Sequence, residues 1–318
     1  MKVAIEEIRR GRTPNPDILC NSECKFGAFL EHLAAVPAAD GRPFDRVVSG
    51  HYARVTRGGA GGGGEGGGAR LRTTPDDLKD QTYFLSKLRQ EQLGRCSFPL
   101  GHLTKAEVRD AAARLGLPAQ GRKDSQGICF LGKVKFEEFV GEHLGEWPGP
   151  LVDEQTGATV GFHRGFWFYT VGQRRGIRLP GGPWFVSRKD TRRNVVFISR
   201  HYDELGAGGD SFVCGPLSFP SGQPRDLARL PGLRVKVRHG PATYACRVSH
   251  GPGPGEVTAR LDAPDQGLAA GQYAVFYDGD ECVACGVMQG PADGHVAGGG
   301  ADGHVAVGGA GGGAPGGA

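Results

Sequence analysis

Between Glu23 and Val36 the apolar positions Phe26, Phe29, Leu30 and Leu33 recur at helical spacing, and the run "ECKFGAFLEHLAAV" predicts an amphipathic helix. "RVVSGHYARV" then alternates as a strand that ends in a Gly-His turn, and "DQTYFLSKLRQEQL" returns to the helical period. "TKAEVRDAAARLGL" adds a capping box, Thr104 to Glu107, an apolar stripe of Val108, Ala111, Ala112 and Leu115, and Gly116 as the C-terminal stop. Helix and strand signals alternating in this way are the grammar of an α/β domain. From Gly121 a polar loop, "GRKDSQGICFLG", leads into the short helix "KFEEFVGEHL". Beyond Pro148 the pattern is nearly all β. "GFWFYTVG", "WFVSRKD", "NVVFIS", "LRVKVRH", "TYACRVSH", "EVTARLDA" and "QYAVFYDGDECVACGVM" are short alternating runs parted by Gly, Pro and Asp, which predicts a small barrel or sandwich. Pro220 to Pro231 reads as a linker within it.

Composition changes this picture in two places. The 318 residues include 56 glycines, concentrated in "GGAGGGGEGGGA" (Gly58 to Ala69) and in the tail after about Gly290, and both read as unpacked chain. The net charge of +4 is unevenly distributed, for Arg164 to Arg200 holds nine Lys or Arg and one acid, Asp190. With Trp167, Phe168, Tyr169 and Trp184 interleaved, that stretch reads equally as a phosphate-binding surface or as a solvated strand face. Neither a secretory signal nor an apolar run of membrane-spanning length occurs, and the eight cysteines are irregularly spaced. They are expected to be mostly reduced thiols rather than a disulfide framework.

Two of these thiols stand in unusual settings. Cys20 closes "NPDILC", where Pro14 and Pro16 favour extended chain and the helical pattern starts near Ser22, so a loop-to-helix junction is expected there. Cys129 lies between Gly127 and Gly132, downstream of Lys123, and a nearby cation lowers a thiol pKa. Cys24, Cys96, Cys214 and Cys246 sit among apolar neighbours and read as packing residues. Cys282 and Cys285 form a C-x-x-C that could join Cys20 and Cys24 in a zinc site, but Cys20 has the better role and no tightly bound metal is expected. His51 suits a nucleotide contact or a structural turn equally.

"GRTPNPDILCN", "DQTYFL", "KDSQGICFLG" and "TVGQRRG", in this order from about Gly11 to Met288, resemble the tRNA-specific 2-thiouridylase family. The resemblance implies a Rossmann-like ATP-pyrophosphatase domain over residues 1–132, a small central tRNA-binding domain over 133–208, a C-terminal β-barrel over 209–290 and a Gly/Ala-rich tail over 291–318. The implied activity is ATP- and Mg-dependent transfer of persulfide sulfur to C2 of the wobble uridine of tRNA. Cys129 is then the persulfide carrier and Cys20 the second catalytic thiol, which attacks or resolves that persulfide as a disulfide. Asn15, Pro16 and Asp17 contact the target base, with Asp17 a candidate acid/base. Lys79, Asp80 and Gln81 form one tRNA contact, Arg238 and His239 another, and Gly50 an ATP contact. The implied partners are tRNA and a persulfide donor, a cysteine desulfurase or relay protein. A monomer in the cytoplasm or in an organelle (mitochondrion or plastid) is expected. The family's Ser-Gly-Gly-x-Asp-Ser-Ser phosphate loop occurs nowhere in the 318 residues. The expectation is therefore a first domain lacking its N-terminal part, with a non-catalytic tRNA-binding remnant as the rival reading.

Overall fold

A computed structural model describes residues 2–58, 68–118, 120–121, 135–201, 209–265 and 267–292. The first helix, α1 (Lys2–Arg9), buries Ile5 and Ile8 against Val140 of α7 (Phe136–Leu144). The opening motif follows as α2 (Pro16–Leu19), continues without a break into a π-helical stretch, Cys20–Ala28, and ends as α3 (Phe29–Ala35). The predicted strand "RVVSGHYARV" is two strands: β1 (Val47–Val48) and β2 (Arg54–Arg57). β1 pairs in parallel with β4 (Cys96–Ser97), the parallel pairing expected of an α/β domain. β2 pairs with β3 (Ala69–Arg72) in an antiparallel hairpin, so the glycine insert joins two paired strands. The predicted single helix after it is two short ones, α4 (Thr82–Leu85) and α5 (Gln90–Gly94). In α6 (Lys105–Arg114) the Thr104–Glu107 capping box forms as expected, but the helix buries no residue fully and Leu115 is largely exposed.

The central domain is a four-stranded sheet in the order β6-β5-β8-β7, made of β5 (Gly149–Asp153), β6 (Thr159–His163), β7 (Phe185–Asp190) and β8 (Val195–Ser199). Its core gathers Leu151, Val186, Val196, Ile198, Phe166 and Trp184. "GFWFYTVG" is not a strand. Gly165, at φ 155°, turns the chain into a 3-10 turn over Phe166–Phe168, and that turn drives Phe166 into the core.

The C-terminal strands are β9 (Gly209–Cys214), β10 (Arg234–Lys236), β11 (Tyr244–His250), β12 (Val257–Asp265), β13 (Tyr273–Asp278) and β14 (Glu281–Pro291). They run in the order β13-β10-β11-β12-β9-β14, and β14 pairs back onto β13, which closes a six-stranded barrel. The predicted linker packs instead of hanging free: Leu227 and Leu230 contribute to the barrel core.

β13 is buried on both sides. Ala274 and Phe276 enter the barrel core, while Tyr273, Val275 and Tyr277 face the first domain beside Ile18, Leu71, Tyr83 and Leu85. A regular strand would send Cys282 and Cys285, three apart, to opposite faces. A register shift at Phe276/Tyr277 in the β13–β14 ladder puts both on the outer face, against the first domain. The β2–β3 hairpin extends the same sheet through Glu281 of β14, paired with Arg72. First domain and barrel therefore share a core and a sheet.

Candidate functional site

The segment before α2 is fastened to the other two parts. Thr13 donates its N–H to the carbonyl of Ala270 at 2.8 Å, and its own carbonyl accepts from Gln272 Nε2 at 3.1 Å. The Thr13 hydroxyl lies 3.4 Å from that of Thr170. Gly11, at φ 80°, passes so close to Thr191 that a Cβ there would collide with it. Asn15 is extended (φ −107°, ψ 94°), and its Oδ1 accepts from the Ile18 N–H at 3.2 Å, which caps the helix.

The expected loop-to-helix junction at Cys20 is thus corrected. Pro16 does not prolong the extended chain. It occupies the first helical position, where its fixed φ and missing N–H cost nothing. Cys20 lies one turn inside the helix, half-buried, with its N–H bonded to the carbonyls of Pro16 and Asp17 and so unavailable to a sulfur anion. From Cys20 the turns widen. Gly27 approaches Ser22 so closely that a Cβ would stand 2.7 Å from the Ser22 carbonyl oxygen. Such π-helical stretches concentrate at functional sites. Asn21 follows Cys20 and is buried. Its Nδ2 donates to the Phe84 carbonyl at 3.2 Å, while its Oδ1 is the one buried side-chain N or O without a hydrogen-bond partner among the described residues.

The Phe84 ring stacks on His239 with centroids 4.4 Å apart, and Tyr83 lies 6.4 Å from the same imidazole. Burial lowers the His239 pKa; Lys236 lowers it further, Asp80 and Asp17 raise it, and Lys79 lowers it. The imidazole is thus within electrostatic reach of both "NPD" and "KDQ", so all three predicted tRNA- or base-contacting segments meet at one junction. Asp17 and Lys79 are half-buried. Gln81 accepts the Tyr52 N–H on Oε1 at 2.9 Å and returns its own N–H to the Tyr52 carbonyl at 2.8 Å. Asp80 sits inside, 1% exposed, and accepts from the N–H groups of Thr74 (2.9 Å) and Thr82 (3.2 Å) and from the Thr82 hydroxyl. Arg238 is ion-paired with Asp265, whose other oxygen accepts from Tyr244 Oη at 2.6 Å. Sequence reasoning missed Asn21, Phe84 and Lys236, which tie these segments together.

Gly50 is exposed at the carboxyl end of β1, and a Cβ there would meet only Leu100 Cδ1, at 3.8 Å. His51 beside it packs between Phe26 (5.7 Å) and Phe98 (5.9 Å) and shares a 2.7 Å hydrogen bond with Ser49. Burial, with a smaller push from Lys25, brings its pKa down to about 4, so it is a neutral packed ring. Cys129 and its flanking loop lie outside the described residues. Cys24, expected to pack, is exposed instead, since its offsets of two and six residues put it on the side of the helix away from Phe26 and Leu30. Four of the eight arginines between 164 and 200 lie over aromatic rings. Arg188 is 3.3 Å from the Phe197 centroid, Arg200 4.5 Å from that of Trp184 and Arg164 4.9 Å from that of Phe168. Lys189 is buried, donates to the Tyr169 carbonyl at 2.9 Å, and is lowered to about 8 by burial. The run therefore includes core and stacked cations as well as surface charge.

The chain thus has three parts, an α/β domain with a parallel strand pair, a four-stranded central domain and a closed barrel, with acidic and basic groups converging around His239. Family profiles agree: residues 1–133 match the tRNA methyl transferase HUP domain, 137–200 the tRNA methyl transferase PRC-barrel domain and 218–288 the aminomethyltransferase beta-barrel domain. The chain is 40% identical over 286 residues to tRNA-specific 2-thiouridylase MnmA 2 of Bacteroides fragilis (strain YCH46), covering 89% of this chain and 76% of the relative. It is 39% identical over 291 residues to tRNA-specific 2-thiouridylase MnmA of Parabacteroides distasonis, with the same coverage. The chain belongs to the tRNA-specific 2-thiouridylase family.

Proposed function

We infer that this protein is a tRNA-uridine 2-sulfurtransferase, which moves a persulfide sulfur onto C2 of the wobble uridine in an ATP-dependent reaction. The observation that carries the reading is the meeting of Asn15–Cys20, Lys79–Gln81 and Arg238–His239 at one junction of the first domain and the barrel. No observation favours the non-catalytic remnant.

A uridine C2 carbonyl is a poor electrophile with a poor leaving group. ATP, with Mg²⁺, would supply the leaving group by adenylating O2, and Gly50, open at the end of a parallel strand, is the residue that would lie beside it. The target base must leave its stack to reach the thiols. Asp17, one turn before Cys20, would exchange a proton with that base, and Asn15 and Pro16 would line its approach. Cys129 carries sulfur as a persulfide whose terminal atom attacks C2 and expels adenylate. The Cys20 thiolate then attacks Cys129 Sγ, breaking the S–S bond and leaving the sulfur on the base as a thiocarbonyl. The sulfane sulfur is reduced, the two thiols are oxidised to a disulfide, and an external thiol restores them. The donor is a cysteine desulfurase or a relay protein. The chain acts as a monomer in the cytoplasm or an organelle, and no described helix is long and apolar enough to cross a membrane.

Incubation with a cysteine desulfurase and cysteine, followed by peptide mapping, tests the thiol roles. Extra sulfur is expected on Cys129. Cys129→Ser should abolish loading, whereas Cys20→Ser should load and form no Cys20–Cys129 disulfide. Sulfur on Cys282 or Cys285 instead would overturn the assignment.

A further inference from the structure

Lys236 is the last residue of β10, and its neighbours Val235 and Val237 are buried in the barrel core. Alternation turns Lys236 the other way, toward the first domain. It does not reach solvent there. Its side chain is 6% exposed, and Nζ stands 3.8 Å from Asp80 Oδ1, on a residue that is itself 1% exposed. The same Nζ lies 5.7 Å from the ring centroid of Tyr277, whose hydroxyl is 3.1 Å from that of Thr82. Asp80 also holds the N–H groups of Thr74 and Thr82, so it fixes the loop that carries Lys79 and Gln81 at two points. Lys236 lies two and three residues before Arg238 and His239. One buried ion pair therefore links the two segments read as tRNA contacts, across the interface of first domain and barrel.

Exposed ion pairs contribute little, and a buried pair is poor evidence of stability because desolvation of two charges offsets their attraction. What a buried pair does supply is geometry: each charge accepts only the arrangement in which the other is beside it. We propose that Lys236 and Asp80 are positioning residues, a buried latch that holds the Lys79–Gln81 loop in register with Arg238–His239 so that both engage the same tRNA. Neither residue touches the nucleic acid. This assigns Asp80 a role different from the direct contact expected of it, and it rests on the tRNA-contact reading of its neighbours.

The test is a double-mutant cycle on the 318-residue chain with an unmodified tRNA transcript, using Lys236→Met, Asp80→Asn and the double variant. Each single change leaves a buried charge without its partner and should weaken binding roughly tenfold or more, while the double variant should bind much better than the product of the two losses. Lys236→Arg, which keeps the charge, should recover part of the affinity. Losses that simply multiply would overturn the latch. His239 provides a second readout, free of tRNA, from its imidazole NMR titration assigned with His239→Gln. The charged groups facing it are Asp17, Lys79, Asp80 and Lys236. Removing Lys236 should move its titration up and removing Asp80 should move it down. Mere loosening would relieve its burial and move it up in both variants, so an upward shift in Asp80→Asn would also overturn the latch. Lys79→Ala and His239→Gln separate this inference from its parent. If neither alters tRNA affinity, the contact reading fails, and the titration still reports on the ion pair. If both weaken binding while the cycle shows no coupling, only the latch fails.

Discussion

The helix that carries Cys20 and the barrel it leans on are built to opposite standards. The barrel departs from regular pairing only at single register shifts in its β9–β12, β13–β14 and β9–β14 ladders. Its ring of strands is closed, its core is apolar, and three of the thiols on its strands, Cys214, Cys282 and Cys285, are buried, with Cys246 half-buried. Burial pushes Cys285 up to about 11 and Cys246 up to about 12, and raises Cys214 and Cys282 as well. The Cys20 helix starts as α, widens to π, leaves Cys20 half-buried and Cys24 exposed, and buries an Asn21 oxygen with no partner among the described residues. Irregularity of this kind costs stability and persists where function requires it. The contrast supports the proposal that the chemistry belongs to the helix, with the barrel as its abutment.

Thiol reactivity is the most severe way to break the comparison. A thiolate is the reactive form, and a thiol at about 11 exposes only about a thousandth of that form at pH 8 even before access is considered. Timed labelling with iodoacetamide at pH 8, read by peptide mass, should modify Cys20 and Cys24 at least ~100-fold faster than Cys214, Cys282 or Cys285. Equal rates for Cys20 and Cys285 would mean that the barrel face opens as readily as the helix, and the contrast would be lost.

Acid should separate the same regions by about 2 kcal/mol. His51 packs on Phe26 of the π-helical stretch, and its pKa falls from 6.5 to about 4 through burial. Above pH 6.5 the ring is neutral in both states. Below that, the unfolded chain takes up a proton that the folded chain refuses until about pH 4, so this contribution is lost as pH falls across that window. At pH 5 the loss amounts to about 2 kcal/mol at most, and His51→Gln should remove it. Urea unfolding at pH 7.5, 6 and 5 measures the loss. Hydrogen exchange at pH 5 should show the Phe26 helix opening before β13 and β14. Simultaneous opening would merge the two regions into one cooperative unit.

Much of this was legible in the sequence, and the exceptions have definite causes. The order of an α/β part followed by β parts was written in the change of period beyond Pro148. The β2–β3 hairpin was hidden because the glycine insert stands between its strands in sequence and carries no pairing signal. Pro16 was misread because a proline at the first helical position and one in extended chain look alike until the Asn15 cap is seen. Cys282 and Cys285 share a face only because the ladder shifts, and a period-2 reading cannot supply that shift. Among the site residues, Asp17, Lys79, Asp80 and His239 lie within electrostatic reach of one another, while their contacts with tRNA remain the proposal made above. Lys236 was illegible because a lysine alternating with buried valines ordinarily faces water. Here another domain covers that face.

The mildest effect is expected at Asn21, and it bears on whether the helix is truly the imperfect region. Replacing Asn21 by Leu removes the orphan oxygen and also the 3.2 Å donation to the Phe84 carbonyl. One unsatisfied buried group is exchanged for another at similar volume, so the net change in unfolding free energy should stay within about 1 kcal/mol. The barrel offers the reverse experiment. Val283 is fully buried in an apolar cluster, and Val283→Thr keeps its shape while adding a hydroxyl. That hydroxyl must be desolvated, and the substitution should cost about 1–3 kcal/mol. Urea midpoints for the two variants, compared at equal slope, decide the matter. If Asn21→Leu proves as costly as Val283→Thr, its Oδ1 has a buried hydrogen-bond donor after all, and the helix around Cys20 is as completely satisfied as the barrel beneath it.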